Sequence, residues 1–268
     1  MERIKLKEKR EVLKVDIQKH LAIVTLSRPE VLNAFNPVLW NSLMTAMEKI
    51  RDDNSIWVVI IRGEGGRAFS AGADLKWRAE NETEVKSSDP EKRNLFFNNS
   101  KFEFWKPVIA AVEGYAVGGG LELALACDII IASEDSKLGF PEPRRGLMAD
   151  GGGVTGLIRQ IPSKLANELI FTGKLITAEK GFEIGLINYV TTKDNLMVKA
   201  KSIADSIIKC SPLAVQAAKQ AIVLGKDLPY DEALKTEFSM FKKLKNSKDF
   251  FEGPKAFSEK REPNWTME

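Results

Sequence analysis

The 268-residue chain carries one histidine, His20, two cysteines, Cys127 and Cys210, and 37 carboxylates. That inventory restricts the chemistry. The run Ala68-Phe69-Ser70-Ala71-Gly72 nearly matches a nucleophile elbow. A serine hydrolase also needs a general base, usually histidine, and His20 falls in a predicted hairpin turn. The same scarcity argues against a His-ligated metal site. Carboxylates remain as the acid/base groups, and two stand out by position. Glu122 follows three glycines on the predicted first turn of a helix, and Glu142 lies between Pro141 and Pro143 in a rigid turn. Each also has a plainer reading. Glu122 can be a partly exposed carboxylate favoured by the helix dipole, and Glu142 a surface turn residue.

The three glycines, Gly118, Gly119 and Gly120, sit where a strand gives way to a helix. The apolar run 107–112 reads as a buried strand, and 121–127, rich in Ala and Leu, as the helix. The first N–H groups of a helix have no intrahelical partner and lie at the positive end of its dipole. Glycine lets a ligand approach that backbone without a Cβ in the way. The arrangement suits an oxygen that becomes negative during a reaction. Other glycine strings carry less. Gly63-Glu64-Gly65-Gly66-Arg67-Ala68 fits the dinucleotide fingerprint, but Phe69 to Gly72 prolongs the loop where a helix should open, so it reads as a simple turn. No Walker lysine accompanies Gly114.

The elements that position these groups follow from periodicity. Residues 12–17 and 21–26 alternate as a hairpin. Asn36-Pro37 caps an amphipathic helix over 37–52, and 57–62 is a strand. Helix is expected over 74–80 and again over 93–105, with a polar connection at 86–92. Strands follow at 128–132 and 137–140, then helices from Gly151 and over 163–171. Strands alternate with helices throughout, the α/β pattern. After residue 195 the pattern is helical, at 196–209, 212–224 and 230–245. We therefore divide the chain into a core at 1–195 and a helical C-terminal segment at 196–268.

Composition bounds the class. With 44% hydrophobic and 29% charged residues, the chain can bury one good core. The net charge of +3 arises from 40 basic and 37 acidic residues that are well mixed, which does not call for nucleic acid or an anionic membrane. No apolar run approaches the length of a membrane span. Residues 1–11 read as neither signal nor transit peptide, and two distant cysteines do not make a disulfide framework. The expectation is a cytoplasmic protein.

Several ungapped stretches carry a resemblance. The run from Lys106 through Gly118-Gly119-Gly120-Leu121-Glu122-Leu123 to Cys127-Asp128 resembles the signature of the enoyl-CoA hydratase/isomerase (crotonase) family. So does Arg67-Ala68-Phe69-Ser70-Ala71-Gly72-Ala73-Asp74-Leu75-Lys76. Arg28-Pro29-Glu30-Val31-Leu32-Asn33-Ala34 is similar to the family's early coenzyme A-contacting loop, and Phe171-Thr172-Gly173-Lys174 with 178–187 to its later helix pair. The similarity runs through nearly the whole chain in the family's order.

The resemblance implies an α/β fold, a crotonase spiral of β-β-α units, with a C-terminal helical segment that drives trimer formation. Trimers of this family often pair into hexamers, so a trimer and a hexamer both stay open. It implies an oxyanion hole made by the N–H groups of Ala73 and Gly119, bound to a thioester oxygen. Ala71, Asp74, Leu75 and Lys76 would line the coenzyme path, with Asn33 and Ala34 opposite and Lys260 or Arg261 on a phosphate. Glu122 matches the first hydratase glutamate and Glu142 the second. In hydratases the pair adds water across a trans-2-enoyl thioester, with Glu142 delivering the α-proton and Glu122 orienting the water. Relatives that only isomerise commonly keep the second glutamate alone. No metal or redox cofactor is implied, since coenzyme A arrives with the substrate.

One departure is the segment Leu147-Met148-Ala149-Asp150-Gly151-Gly152-Gly153, closer to relatives resembling carnitinyl-CoA dehydratase. Asp150 either faces the acyl pocket or, as cap propensity favours, N-caps a helix near Gly151. An enoyl-CoA isomerase, a carnitinyl-CoA dehydratase and an RNA-binding relative stay open as alternatives. The absence of a basic-aromatic stripe counts against the last.

Overall fold

Runs of apolar residues buried on both faces build the larger of two sheets. The structure, a computed structural model, describes residues 11–87 and 102–268. Strands β1 (Leu13–Gln18), β2 (Leu21–Leu26), β3 (Val58–Gly63), β5 (Val108–Val112), β7 (Ile129–Ser133) and β10 (Tyr189–Thr191) form a six-stranded sheet in the order β1-β2-β3-β5-β7-β10. β1 pairs antiparallel with β2, and every later pairing is parallel. Parallel strands need both faces covered. In β3, Val59 and Ile61 join the main core while Val58 and Ile60 face the other way, and β5 splits likewise between Val108, Ala110, Val112 and Ile109, Ala111.

A smaller sheet, order β4-β6-β8-β9, contains β4 (Ala68–Ser70), β6 (Tyr115–Val117), β8 (Lys137–Gly139) and β9 (Leu175–Thr177). Its strands alternate along the chain with those of the larger sheet, so β3-β4, β5-β6 and β7-β8 are successive turns of one spiral. Each turn ends in helix: α2 (Leu75–Glu80) followed by α3 (Glu82–Ser87), then α4 (Gly119–Ala126), then a 3-10 turn (Glu142–Arg145) and α5 (Gly153–Gln160). β4, β6 and β8 are mutually parallel. The chain therefore leaves all three at the same edge of the small sheet, and the catalytic candidates lie just past that edge. Apart from β8, the strands of this sheet were not visible in the sequence, because three residues are too few to show alternation.

Elsewhere the sequence and structure agree closely. α1 (Pro37–Asp52) is capped by Asn36, whose side chain accepts from Leu39 N at 3.0 Å. His20 occupies the β1–β2 turn, stacked on Trp57 at 3.6 Å. The helix expected over 93–105 and the connection at 86–92 lie mostly outside the described residues. Their described ends differ from expectation. Lys86 and Ser87 close α3, whereas 102–105 is turn and irregular chain, with Glu103 in the left-handed region at φ 52°, that buries Phe102 and Phe104 and exposes Glu103.

α6 (Ser163–Thr172) and α7 (Ala178–Glu183) flank β9. Past β10 come α8 (Lys193–Ile208), α9 (Pro212–Gly225), α10 (Tyr230–Leu244) and α11 (Lys248–Ser258). α8 buries Leu196, Ala200 and Ala204 against Ile60, Ile109 and Ile131 of the large sheet. α11 was not anticipated because Gly253 and Pro254 lie inside it. Ser247 caps it, and its buried Asp249 accepts from Ser211 Oγ and from Thr266 N. No single helix among the described residues is long and apolar enough to cross a membrane.

One ion pair, buried on its lysine side, ties the helical segment to the core. Lys219, on α9 and 7% exposed, donates to Asp128 Oδ2 at 2.7 Å and to Lys106 O at 2.8 Å. Asp128 Oδ2 also accepts from Val108 N at 2.7 Å. Asp128→Ala leaves a buried ammonium unpaired and is expected to cost about 3 kcal/mol, measured by urea unfolding. Lys219→Met removes the charge with its partner still near solvent, and should cost clearly less.

Candidate active site

The three loops that leave the small sheet at one edge meet around a cavity of about 490 Å³. After β4 the chain passes through Ala71, Gly72 and Ala73. Phe35 N donates to Gly72 O at 2.7 Å and Asp74 N to Phe35 O at 2.9 Å. In such a parallel bridge the central residue's own N–H points away from the partner, so the Ala73 N–H is directed away from Phe35. After β6 the chain turns at Gly118 into α4, and Gly119, as its first residue, has an N–H ahead of the first intrahelical bond, Glu122 N to Gly118 O.

The two loops touch through backbone. A Cβ at Gly72, whose φ is +80°, would lie 2.7 Å from Val117 O and 2.8 Å from Gly119 N. One at Gly119 would lie 3.7 Å from Ala73 N. The structure thus brings Ala73 and Gly119 together on the cavity wall. Gly118 has φ +56° and ψ −129°, a region open essentially to glycine, and a Cβ there would meet Glu142 Oε1 at 2.6 Å. Two neighbouring N–H groups at a cavity wall can stabilise an oxygen that gains negative charge.

Glu122 projects from the first turn of α4 into the same cavity. It is 7% exposed, where the plainer reading of the sequence had a partly exposed group. Its Oε1 accepts from Gly151 N at 2.8 Å and Gly153 N at 3.0 Å. Burial nevertheless dominates and lifts its pKa to about 7, with the Glu142 and Asp150 charges adding to the rise. Glu142 opens the 3-10 turn after β8 and also lines the cavity. Burial raises its pKa as well, opposed by its own backbone N–H, while Asp150 adds to the rise and Arg145 and Arg78 counter it. Its Oε2 is buried with no hydrogen-bond partner among the described residues. A buried acceptor of that kind calls for a donor from outside the protein.

Asp150 is an exposed residue of the cavity wall. It is not the helix cap that propensity favours: α5 begins at Gly153, and its N-cap is Gly152. Among the residues expected along the coenzyme path, Ala71 and Leu75 line the cavity, and Lys76 is exposed outside its wall. Asn33 is fully buried. Its side chain accepts from Arg28 N at 2.9 Å and donates to Glu64 O and Ala68 O at 3.0 and 2.8 Å. It therefore clamps the loop to β4 and offers no side-chain contact to a ligand. Ala34 O accepts from Arg28 at 2.5 Å. Asp74 caps α2 and pairs with Arg28 at 3.1 Å. Lys260 sits in the left-handed turn after α11, outside the cavity wall. Its neighbour Arg261 is held by Glu252 at 2.6 and 2.9 Å and by Glu259.

Sequence reasoning missed Trp40, Trp77, Arg78, Arg145 and Met148 on the cavity wall. Leu75 and Arg78 stand three apart on α2, and Pro37, Trp40 and Asn41 share one face of α1. The spacing was available, but which face meets a cavity depends on tertiary packing.

Glu122 also couples stability to pH. Its carboxyl holds a proton in the fold up to about 7, against an ordinary value of 4.5. Across that window the native state binds more protons than the unfolded chain, so this contribution is fully present below the window and is lost as pH rises through it. Glu122→Gln removes the linkage. Its stability relative to wild type should rise with pH across the window and level off above it. Urea unfolding at a series of pH values tests this, and a pH-independent difference would mean that Glu122 ionises normally in the fold.

Comparison with known proteins identifies the family and the fold. Residues 16–268 match the family described as enoyl-CoA hydratase/isomerase. The chain is 37% identical to an (E)-benzylidenesuccinyl-CoA hydratase of Thauera aromatica over 254 residues, 93% of this chain and 96% of that protein. It is 37% identical to a carnitinyl-CoA dehydratase of Salmonella heidelberg over 246 residues, 90% and 93% of the respective chains. The crystal structure of an enoyl-CoA hydratase from Bacillus anthracis superposes with a TM-score of 0.89 at 36% identity, covering 96% of this chain and all of that one. The chain belongs to the enoyl-CoA hydratase/isomerase family and has its crotonase fold.

Proposed function

We propose that the protein adds water across the double bond of a trans-2-enoyl-CoA, giving the 3-hydroxyacyl-CoA, and that the reaction runs reversibly. The observation that carries this is the pair of carboxylates, buried Glu122 and half-buried Glu142, in one cavity with the N–H groups of Ala73 and Gly119. The two N–H groups bind the thioester oxygen and draw electrons from the conjugated bond. Ionised Glu122 takes a proton from water as its oxygen bonds to Cβ, and the double-bond pair moves to give an enolate at that thioester oxygen. Protonated Glu142 then gives a proton to Cα as the enolate collapses. Proton exchange with solvent resets the pair. Raised carboxyl pKa values suit these roles: Glu122, lifted to about 7, can exchange a proton near neutral pH, and burial shifts Glu142 upward in the same direction.

Isomerisation alone needs one group to move a proton between two carbons. A second shielded carboxylate held by two N–H groups favours a water-handling reaction. The assembly belongs to the same reading: a homotrimer, or a pair of trimers, formed through the C-terminal helices. Its support is the apolar surface on α9–α11, where Ile222, Phe238, Phe241, Phe251 and Phe257 are exposed.

With crotonyl-CoA, wild type should remove the conjugated enoyl-thioester absorbance. Glu122→Gln and Glu142→Gln should each lower kcat by about 10²–10⁴. A wild type that leaves trans-2-enoyl thioesters untouched while converting 3-enoyl to 2-enoyl thioesters would replace hydration with isomerisation.

A further inference from the structure

Away from the glutamates, the cavity wall combines apolar side chains with two guanidiniums, Arg78 and Arg145. Leu75, Trp77 and Arg78 of α2 line it, with Trp40 of α1 and Met148 of the 147–151 segment. Arg78 is half-buried, yet its side chain makes no hydrogen bond or ion pair among the described residues. Arg145, exposed on the same wall, makes only a long 3.5 Å contact to Pro141 O. A guanidinium has five donors in a fixed fork that matches a carboxylate, and leaving them unused in a partly desolvated wall is costly.

Neither acid of this wall pairs with Arg78. Glu84 has an interaction of its own. Asp150 and Arg78 both act on Glu142, Asp150 raising its pKa and Arg78 lowering it.

Within the proposed hydratase reading, we infer that Arg78, assisted by Arg145, selects acyl groups that carry a carboxylate of their own, so that the preferred substrates are monothioesters of dicarboxylic acids. The tryptophans and Met148 accommodate the methylene or aryl part of the acyl group, and the guanidinium fixes its far end. Few polar groups placed in an apolar cavity orient a ligand in this way. A methyl-tipped chain of the same length leaves the fork unsatisfied and is bound less well.

The test uses the full-length protein and two thioesters of equal length, hex-2-enoyl-CoA and hex-2-enedioyl-CoA, which differ only in a terminal methyl against a carboxylate. A charged hydrogen-bonded pair predicts a ratio of kcat/KM favouring the carboxylate by about 10- to 100-fold. The discrimination should lie mainly in KM and weaken with added salt. In Arg78→Met the ratio should fall to about one or below, and Arg78→Lys should retain part of it. Equal or better use of the methyl-tipped thioester by wild type would overturn the inference, and so would a ratio that Arg78→Met leaves unchanged. A preference for a trimethylammonium-tipped enoyl thioester would also overturn it and give the selective role to Asp150. Turnover without carboxylate preference sinks this inference alone, whereas no hydration of any of the three thioesters sinks the hydratase reading with it.

Discussion

The closeness of two backbone segments, Gly72 against Val117 to Gly119, is the constraint on which the site depends. No side chain fits between them, since a Cβ at Gly72 would sit 2.7 Å from a carbonyl oxygen. That closeness makes the N–H groups of Ala73 and Gly119 neighbours on one wall. It is produced by the small sheet. β4 and β6 are parallel, with an irregularity in register between Ala68 and Ser70, so their following loops emerge side by side. β8 adds the Glu142 turn at the same edge. Ligand sites outside the carboxyl ends of parallel strands are a general consequence of this geometry. Here the spiral supplies three such ends in three successive turns: the first contributes the Ala73 N–H, the second the Gly119 N–H and Glu122, and the third Glu142.

Burial decides the electrostatics. Two N–H groups on Glu122 Oε1 and the N-terminus of α4 both favour the ionised form. Desolvation outweighs them, and the neighbouring Glu142 and Asp150 add like charge. The carboxyl ends near neutrality, where it can hold or release a proton at little cost. Glu142 follows the same logic with a different balance, because Arg145 and Arg78 oppose part of the rise. A group that stayed at the ordinary carboxylate value would be a poor proton donor to carbon, and one raised far higher would be a poor base.

Much of this was legible in the sequence where periods are long. α1, α9 and α10 show helical spacing over four turns, and β2, β3 and β5 are apolar runs bounded by turns. Glu122 and Glu142 could be singled out by their neighbours, but their burial could not, since it depends on the 147–153 segment folding over α4. The short strands of the small sheet carried no usable alternation. Asn33 lay in a stretch resembling a ligand-contacting loop, yet it is a buried clamp with every polar side-chain atom used inside the protein. Asp150 had the propensity of a cap, but the chain spends two more residues before the helix begins, and Gly152 takes that position.

The elements that carry the reaction differ from those that shape the acyl wall. The N–H pair and the glutamates hang from strand ends, positions fixed by the register of a sheet and by close backbone contacts. Trp40, Trp77, Arg78 and Met148 lie on helix faces and on the 147–151 segment, where one side chain can replace another without moving the strands. Sequence motifs at the strand ends therefore speak for the chemistry and are silent on the acyl group. On the proposed reading the helix faces set that preference through Arg78 on α2, a half-buried charge with no hydrogen bond or ion pair among the described residues, whose cost to the fold a ligand carboxylate would offset.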